Sequence, residues 1–274
     1  MEHSDINRET LVLPKIGSYW YGRALGRLER ACLRSMIERG HDVTLFCHDY
    51  VDGVPEEVEV LDAREITGDR SVVMFDSLQS PALFSDQFRY HMIALLGWLW
   101  LDLDTFALKP VLPNDGYLFG YDPATRRRYI NGGVLGLPKS SQTLRDLVLF
   151  CEEYYPIPPF ETRRKKAELY IKKCLGSPVH VSSQRWGTWG PRALTYFLRR
   201  NGEEHYALER ELYPIDWNSL DVFLLPHEHV NETYLQDAIA VHLYGSLIRR
   251  KIEQIGPDQI PNGSFLANVL KYGD

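Results

Sequence analysis

Two carboxylates, Asp102 and Asp104, stand one residue apart where the apolar run at 98–101 ends, in the stretch GWLWLDLDTFALKPV (97–111). Positions i and i+2 of an extended segment share a face, so both acids are expected to point the same way. Neighbouring carboxylates raise each other's pKa unless a cation stands between them. Hard oxygen donors with neither Cys nor His beside them suit Mg2+ or Mn2+, ions that keep positions open for water and substrate phosphates. The chemistry implied is the handling of a nucleotide. The plain alternative is that one acid caps the next element and the other is solvated. Against it stand the buried strand expected before the acids and the turn expected at Leu108, Lys109 and Pro110 after them, because ligands of open α/β folds collect at the carboxyl ends of strands.

The elements that must position these acids follow a simple rhythm. The pattern predicts a strand over 11–18, then a helix over 24–39 with Leu25, Leu28, Cys32 and Met36 on one face, ended by Gly40. Strands over 42–47 and 58–62 follow, then a helix over 81–96 with Phe84, Phe88, Met92 and Leu95 inward. This βαβ progression predicts an α/β fold with a mostly parallel central sheet flanked by helices. Beyond the acids, 116–121 and 132–137 are strand-like, and 142–155 is helical. The segment at 154–178, rich in proline, aromatics and bases, interrupts the rhythm as an insertion would. A helix over 189–200, entered through Gly190 and Pro191, resumes it. In the tail, short apolar runs alternate with turns, one of them a strand at 239–243 that carries His242. One domain over 1–274 with an inserted helical, basic segment is expected.

Composition sets the bounds. A chain of 274 residues, 44% hydrophobic and 25% charged, can bury a large core. Its net charge of -6 argues against nucleic acid as a partner, which would require a basic field. Cys32, Cys47, Cys151 and Cys174 have neither metal-site spacing nor the density of a disulfide framework, so buried free thiols in a reducing compartment are expected. The start MEHSDINRET lacks the pattern of a signal peptide, and no apolar run nears the ~18 residues that span a bilayer. A cytoplasmic location is therefore expected, with the sequons at Asn231 and Asn262 unused. Arg163, Arg164, Lys165 and Lys166 fit a peripheral contact with an anionic inner membrane surface; an exposed, solvated helix is the alternative.

Six pieces, YWYG (19–22), SDQFRY (85–90), GWLWLDLD (97–104), NGGVLGLPK (131–139), WGPRALT (189–195) and AVHLYGS (240–246), together resemble the GT-A glycosyltransferases with a glycosyl-transfer DXD region. The likeness is to the α-1,4-glycosyltransferase and mannosyltransferase-like group, with the glucosylating domains of large clostridial toxins as more distant relatives. It spans about 12–250, and Trp98 departs from a frequent glycine. The resemblance implies a Rossmann-like GT-A fold and metal-dependent transfer of a hexose from a nucleotide-diphosphate sugar, UDP-linked by preference, to a glycan, glycolipid or protein acceptor. It also implies Mn2+ or Mg2+ on Asp102 and Asp104, with His242 as a third ligand or diphosphate contact. Trp20, with Tyr19 beside it, would stack on the nucleobase, and Asp86 and Arg89 would hold the donor sugar and diphosphate. Asn131 would contact sugar or acceptor, while Ser246, Arg249 and Lys251 would close on phosphate. Each has a structural counterpart: a core aromatic at Trp20, an i,i+3 ion pair between Asp86 and Arg89, a turn at Asn131, a satisfied core imidazole at His242, and solvated bases.

Retention of configuration is expected from the resemblance and from the lack of an obvious acid beside Asn131 to act as base. Asp115 and Asp122 are nearest in sequence, and Asp122 could serve if folded inward. Two rivals remain. The stretch LWLDLDT also matches the first motif of haloacid-dehalogenase-like phosphatases, with Asp102 as nucleophile and Asp104 as acid. A non-catalytic sugar-nucleotide-binding protein would keep the same pocket.

Overall fold

The computed structural model describes residues 12–274; Leu11, where the first strand was expected to begin, lies outside them. A six-stranded sheet is built from β1 (Ile16–Tyr19), β2 (Val43–Cys47), β3 (Glu59–Asp62), β4 (Leu99–Leu101), β6 (Leu118–Tyr121) and β7 (Ile130–Gly136), in the order β3-β2-β1-β4-β7-β6. The pairings β3-β2, β2-β1 and β1-β4 are parallel. β7 runs against both its neighbours, β4 and β6. The mostly parallel α/β sheet expected from the sequence is therefore present.

Alternation along the strands divides the core into two layers. Ile16, Leu45, Leu99, Leu101 and Val134 face α1 (Arg27–Glu38) on one side. Phe46, Trp100 and Leu135 face the other side, against α3 (Ala82–Leu96), with α2 (Arg64–Thr67) beside it. α4 (Gln142–Cys151) and α6 (Pro191–Arg200) complete that second layer. Leu28, Cys32 and Met36 of α1 are buried as expected, as is Leu25, which lies just before the helix, and Gly40, at φ 91°, makes the left-handed turn that returns the chain to β2. In α3, Phe84, Phe88 and Met92 are buried but Leu95 is 56% exposed. Burial along α3 stops at Ile93, so its last turn runs into solvent before Gly97 ends it at φ 75°. α4 stops at Cys151, four residues earlier than expected. Cys174 is exposed, because α5 (Arg163–Cys174) stands out from the body and buries Leu169 alone.

The sequence did not foretell the second, two-stranded sheet. β5 (Thr105–Ala107) follows the acids directly and pairs antiparallel with β8 (Ala240–His242), with Thr105 opposite His242. The tail, expected as short apolar runs, is largely helical: α7 (His227–Tyr234), α8 (Gly245–Ile255) and α9 (Phe265–Lys271).

β5 is fixed to α1 by Ser35, whose buried hydroxyl accepts from the Ala107 N–H at 2.9 Å and donates to the Cys32 carbonyl at 2.6 Å. Ser35→Ala leaves a buried N–H without its acceptor and should lower the unfolding free energy by about 1–3 kcal/mol in urea titrations. An unchanged midpoint would show that this link does not hold β5 in place.

Candidate functional site

β4 is short and central, and the chain leaves it in a turn rather than in the extended conformation expected. The Asp102 carbonyl accepts from the Thr105 N–H at 2.9 Å, and the Asp102 N–H donates to Gly133 at 2.7 Å. Asp102 and Asp104 thus share a face because a turn folds them together, not because a strand alternates. Both line a cleft of about 620 Å³ at the carboxyl end of the parallel strands, within the usual range for small-molecule sites.

His242 reaches the acids through the β5–β8 pairing. Its Nε2 lies 3.1 Å from Asp104 Oδ1 and 4.0 Å from Asp102 Oδ2. Asp104 Oδ2 accepts the Gly245 N–H at 2.7 Å, at the first turn of α8, where a helix N-terminus favours negative charge. Burial opposes ionisation of both partners, yet their mutual attraction wins. It holds His242 up to about 10, and with the Gly245 N–H and Arg249 it holds Asp104 down to about 2. The three residues can each offer a ligand atom within 4.8 Å of the others. Two carboxylate oxygens and an imidazole form a donor set that fits Mn2+ or Mg2+, and the protein atoms converge closely enough to hold such an ion.

Arg89 occupies the opposite flank. Its Nη2 stands 3.4 Å from both Asp86 Oδ1 and Asp102 Oδ1, its Nη1 donates to the Gly132 carbonyl, and its guanidinium lies 4.9 Å from the centre of the Trp100 ring. Trp100 Nε1 donates to Asp102 Oδ1 at 2.7 Å, which fixes that carboxylate from below. Burial works against the Arg89 charge, but Asp102 and Asp86 more than offset it and raise its pKa. For Asp86 burial prevails over Arg89 and pushes the carboxyl up to about 6. The intrahelical pair foreseen as the plain alternative therefore exists, and it extends across to Asp102.

Glycines make room for these groups. A Cβ at Gly133 would lie 3.0 Å from the His242 ring and 3.1 Å from Asp102 Oδ2; one at Gly132 would lie 2.8 Å from Arg89 Nη1. Asn131 is the second residue of β7 rather than a turn residue. Its Oδ1 accepts the Gly133 N–H at 2.8 Å while its side chain lines the cleft.

The remaining candidates divide. Tyr19 is a core aromatic packed against Phe84 and Phe88, with its hydroxyl 3.2 Å from His48 Nδ1, and reaches only the cleft edge. Trp20 is half-buried, lines the cleft, and its Nε1 has no hydrogen-bond partner among the described residues. Ser246 is exposed and does not line the cleft, because α8 turns it outward while Tyr244, Leu247 and Arg249 face in. Lys251 pairs with Asp221 at 2.6 Å instead of reaching the cleft. Residues not expected there are Glu29, Ser85, Trp186 and Trp217. Trp186 and Trp217, 50% and 41% exposed, lie in loops that carry no periodic signal. Asp122 is folded inward onto the cleft, and burial holds its carboxyl above the usual range despite the Ala124 N–H at 2.9 Å.

The folded chain holds the Asp86 proton up to about pH 6, against a reference of 3.8. A raised carboxyl pKa favours the folded state below the reference value, and that contribution is lost as pH rises through the folded one. Asn keeps the neutral form at every pH. In EDTA, the stability of Asp86→Asn relative to the wild type should therefore rise between about pH 4 and pH 7. A flat difference across that window would show that Asp86 ionises normally.

No protein-family model matches the chain, and no curated protein does. Among solved structures it is similar to PaToxG glycosyltransferase, at 11% identity over 68% of this chain and 68% of that one, with a TM-score of 0.43. It is also similar to the WbbM bifunctional glycosyltransferase in its apo form, at 8% identity over 52% of this chain and 36% of that one, with a TM-score of 0.30.

Proposed function

We propose that the cleft is the active site of a metal-dependent glycosyltransferase, which moves a hexose from a nucleotide-diphosphate sugar, UDP-linked by preference, to a hydroxyl of a glycan, glycolipid or protein. The observation that carries this reading is the convergence of Asp102, Asp104 and His242 beside the Asp86–Arg89 pair in one cleft. Mn2+ or Mg2+ on the first three would supply Lewis-acid neutralisation of the diphosphate. Arg89 is buried, charged and already fixed by oxygens of Ser85, Asp86, Asp102 and Gly132, so it can stabilise charge on the departing oxygen without reorganising. Asp86 accepts from donor-sugar hydroxyls, the half-buried Trp20 stacks on the nucleobase with Tyr19 bracing the strand end behind it, and Asn131 contacts sugar or acceptor. One GT-A domain with 154–178 inserted belongs to the same proposal.

The phosphatase alternative needs a cationic lysine near the nucleophile, and no lysine among the described residues lines the cleft. A non-catalytic binder differs by its failure to consume donor. Mn2+ with a nucleoside diphosphate should raise the melting temperature, and Mn2+ with a sugar nucleotide should support donor turnover. Asp104→Asn should lose both effects while the protein stays folded, and full turnover in EDTA would overturn the metal assignment.

Retention, with the leaving phosphate taking the acceptor proton, is the proposed stereochemistry. A specific observation supports the inverting route as a second reading: Asp122 lines the cleft with a proton affinity raised by burial, as a general base requires. NMR of the product from an α-linked donor separates the two routes. An α-linkage with Asp122→Asn still active supports retention. A β-linkage, with turnover in Asp122→Asn reduced by about 10²-fold or more, assigns Asp122 as the base.

A further inference from the structure

α5 is a basic surface helix that leaves apolar side chains exposed. Arg163, Arg164, Ala167, Tyr170, Ile171, Cys174 and the cap residue Leu175 recur at spacings of three and four, so they form one stripe. The whole stripe is exposed, with Tyr170 at 62%, Ile171 at 56% and Leu175 at 75%. The charges that would ordinarily cover it are turned aside. Lys165 and Lys172 both pair with Glu168 at 3.0 Å, and Lys173 pairs with Glu153 at 3.3 Å. Beside its half-exposed lysines this helix also presents an aromatic and two aliphatic side chains to solvent, with two arginines at one end.

We propose that this stripe docks the protein on an anionic lipid surface. The helix carries six bases and one acid in a chain whose net charge is -6, so it presents a basic surface that an anionic bilayer attracts, on a chain that is acidic overall. Arginine stems and an aromatic ring beside aliphatic groups suit the boundary between headgroups and acyl chains, where charge stays wet and apolar surface is buried. The docking helix is also joined to the cleft wall. Glu161, two residues before α5, forms a buried ion pair at 2.6 Å with Arg192 of α6. The first residue of α6, Pro191, lines the cleft, and a Cβ on the preceding Gly190 would lie 2.5 Å from Asp86 Oδ2. Docking would then hold the cleft near the lipid surface and favour acceptors displayed there. That last step rests on the proposed glycosyl transfer; the docking itself does not.

The full chain should sediment with vesicles of phosphatidylglycerol and phosphatidylcholine, should not sediment with phosphatidylcholine alone, and should be released by added salt. Arg163→Glu with Arg164→Glu, and separately Ile171→Glu with Leu175→Glu, should each lower the partition by about ten-fold or more. Melting temperature and donor turnover in solution should not change, because these side chains are exposed and distant in role from the cleft. Equal binding to both vesicle types, or wild-type partition by the variants, overturns the proposal. So does failure to bind any vesicle, and a dimer in solution that Ile171→Glu separates would then assign the stripe to a second copy of the chain.

Discussion

Three carboxylates crowd the carboxyl end of β4, and their mutual repulsion is the constraint around which the cleft is built. Asp86 and Asp102 share Arg89, while Asp102 and Asp104 share His242. Neither cation suffices by charge alone, because burial penalises every member of the set. Donors of fixed geometry add to them: the Trp100 indole on the same Asp102 oxygen that faces Arg89, and the Gly245 amide on the Asp104 oxygen turned away from His242. Gly132 and Gly133 of β7 are a consequence, since a side chain at either would displace Arg89 or His242. The second sheet is another, because only the pairing of β5 with β8 brings an imidazole from the tail to an acid pair far earlier in the chain.

What the sequence made legible follows from the range of the interactions that fix each element. α1 and α3 were readable because their apolar spacing is local, and Gly40 and Gly97 mark their ends by chemistry at single residues. Leu95 failed as a core position because helical phase says which face a residue occupies but not where along the helix burial stops. The two acids share a face as expected but for a different local reason, since a turn brings them together as strand alternation would have done. β5 has three residues, too few for any periodicity, and its partner lies about 135 positions further along the chain. His242 could therefore be linked to the acids only through the family resemblance. Trp186, Trp217 and the inward fold of Asp122 depend on loop paths, which leave no pattern in composition. The outward stripe of α5 was fully written in the sequence as spacing, yet its direction required a structure, because an apolar stripe alone is expected to face a core.

At the cleft, charged contacts join the C-terminal part of the chain to the N-terminal part beside the β5–β8 pairing. Glu29 sits in the first turn of α1, where the helix N-terminus favours an anion, and is almost wholly buried. A Cβ at Gly26 would come within 2.6 Å of its Oε2, so the residue at the cap must be small for the carboxylate to fold back there. Arg249, on α8, pairs with Glu29 from across the cleft while remaining half-exposed itself. The start of α8 is meanwhile fixed by Asp104 through Gly245. One helix thus contributes a backbone amide to one acid and a guanidinium to another, and both acids belong to the N-terminal half. The contact at Gly245 is short and directional, so it sets where α8 begins. The contact at Arg249 has one end in solvent, so it costs less to exchange for another anion. The wall of the cleft formed by α8 is therefore fixed at its Asp104 end and replaceable at its rim, where the Arg249 guanidinium is open to exchange.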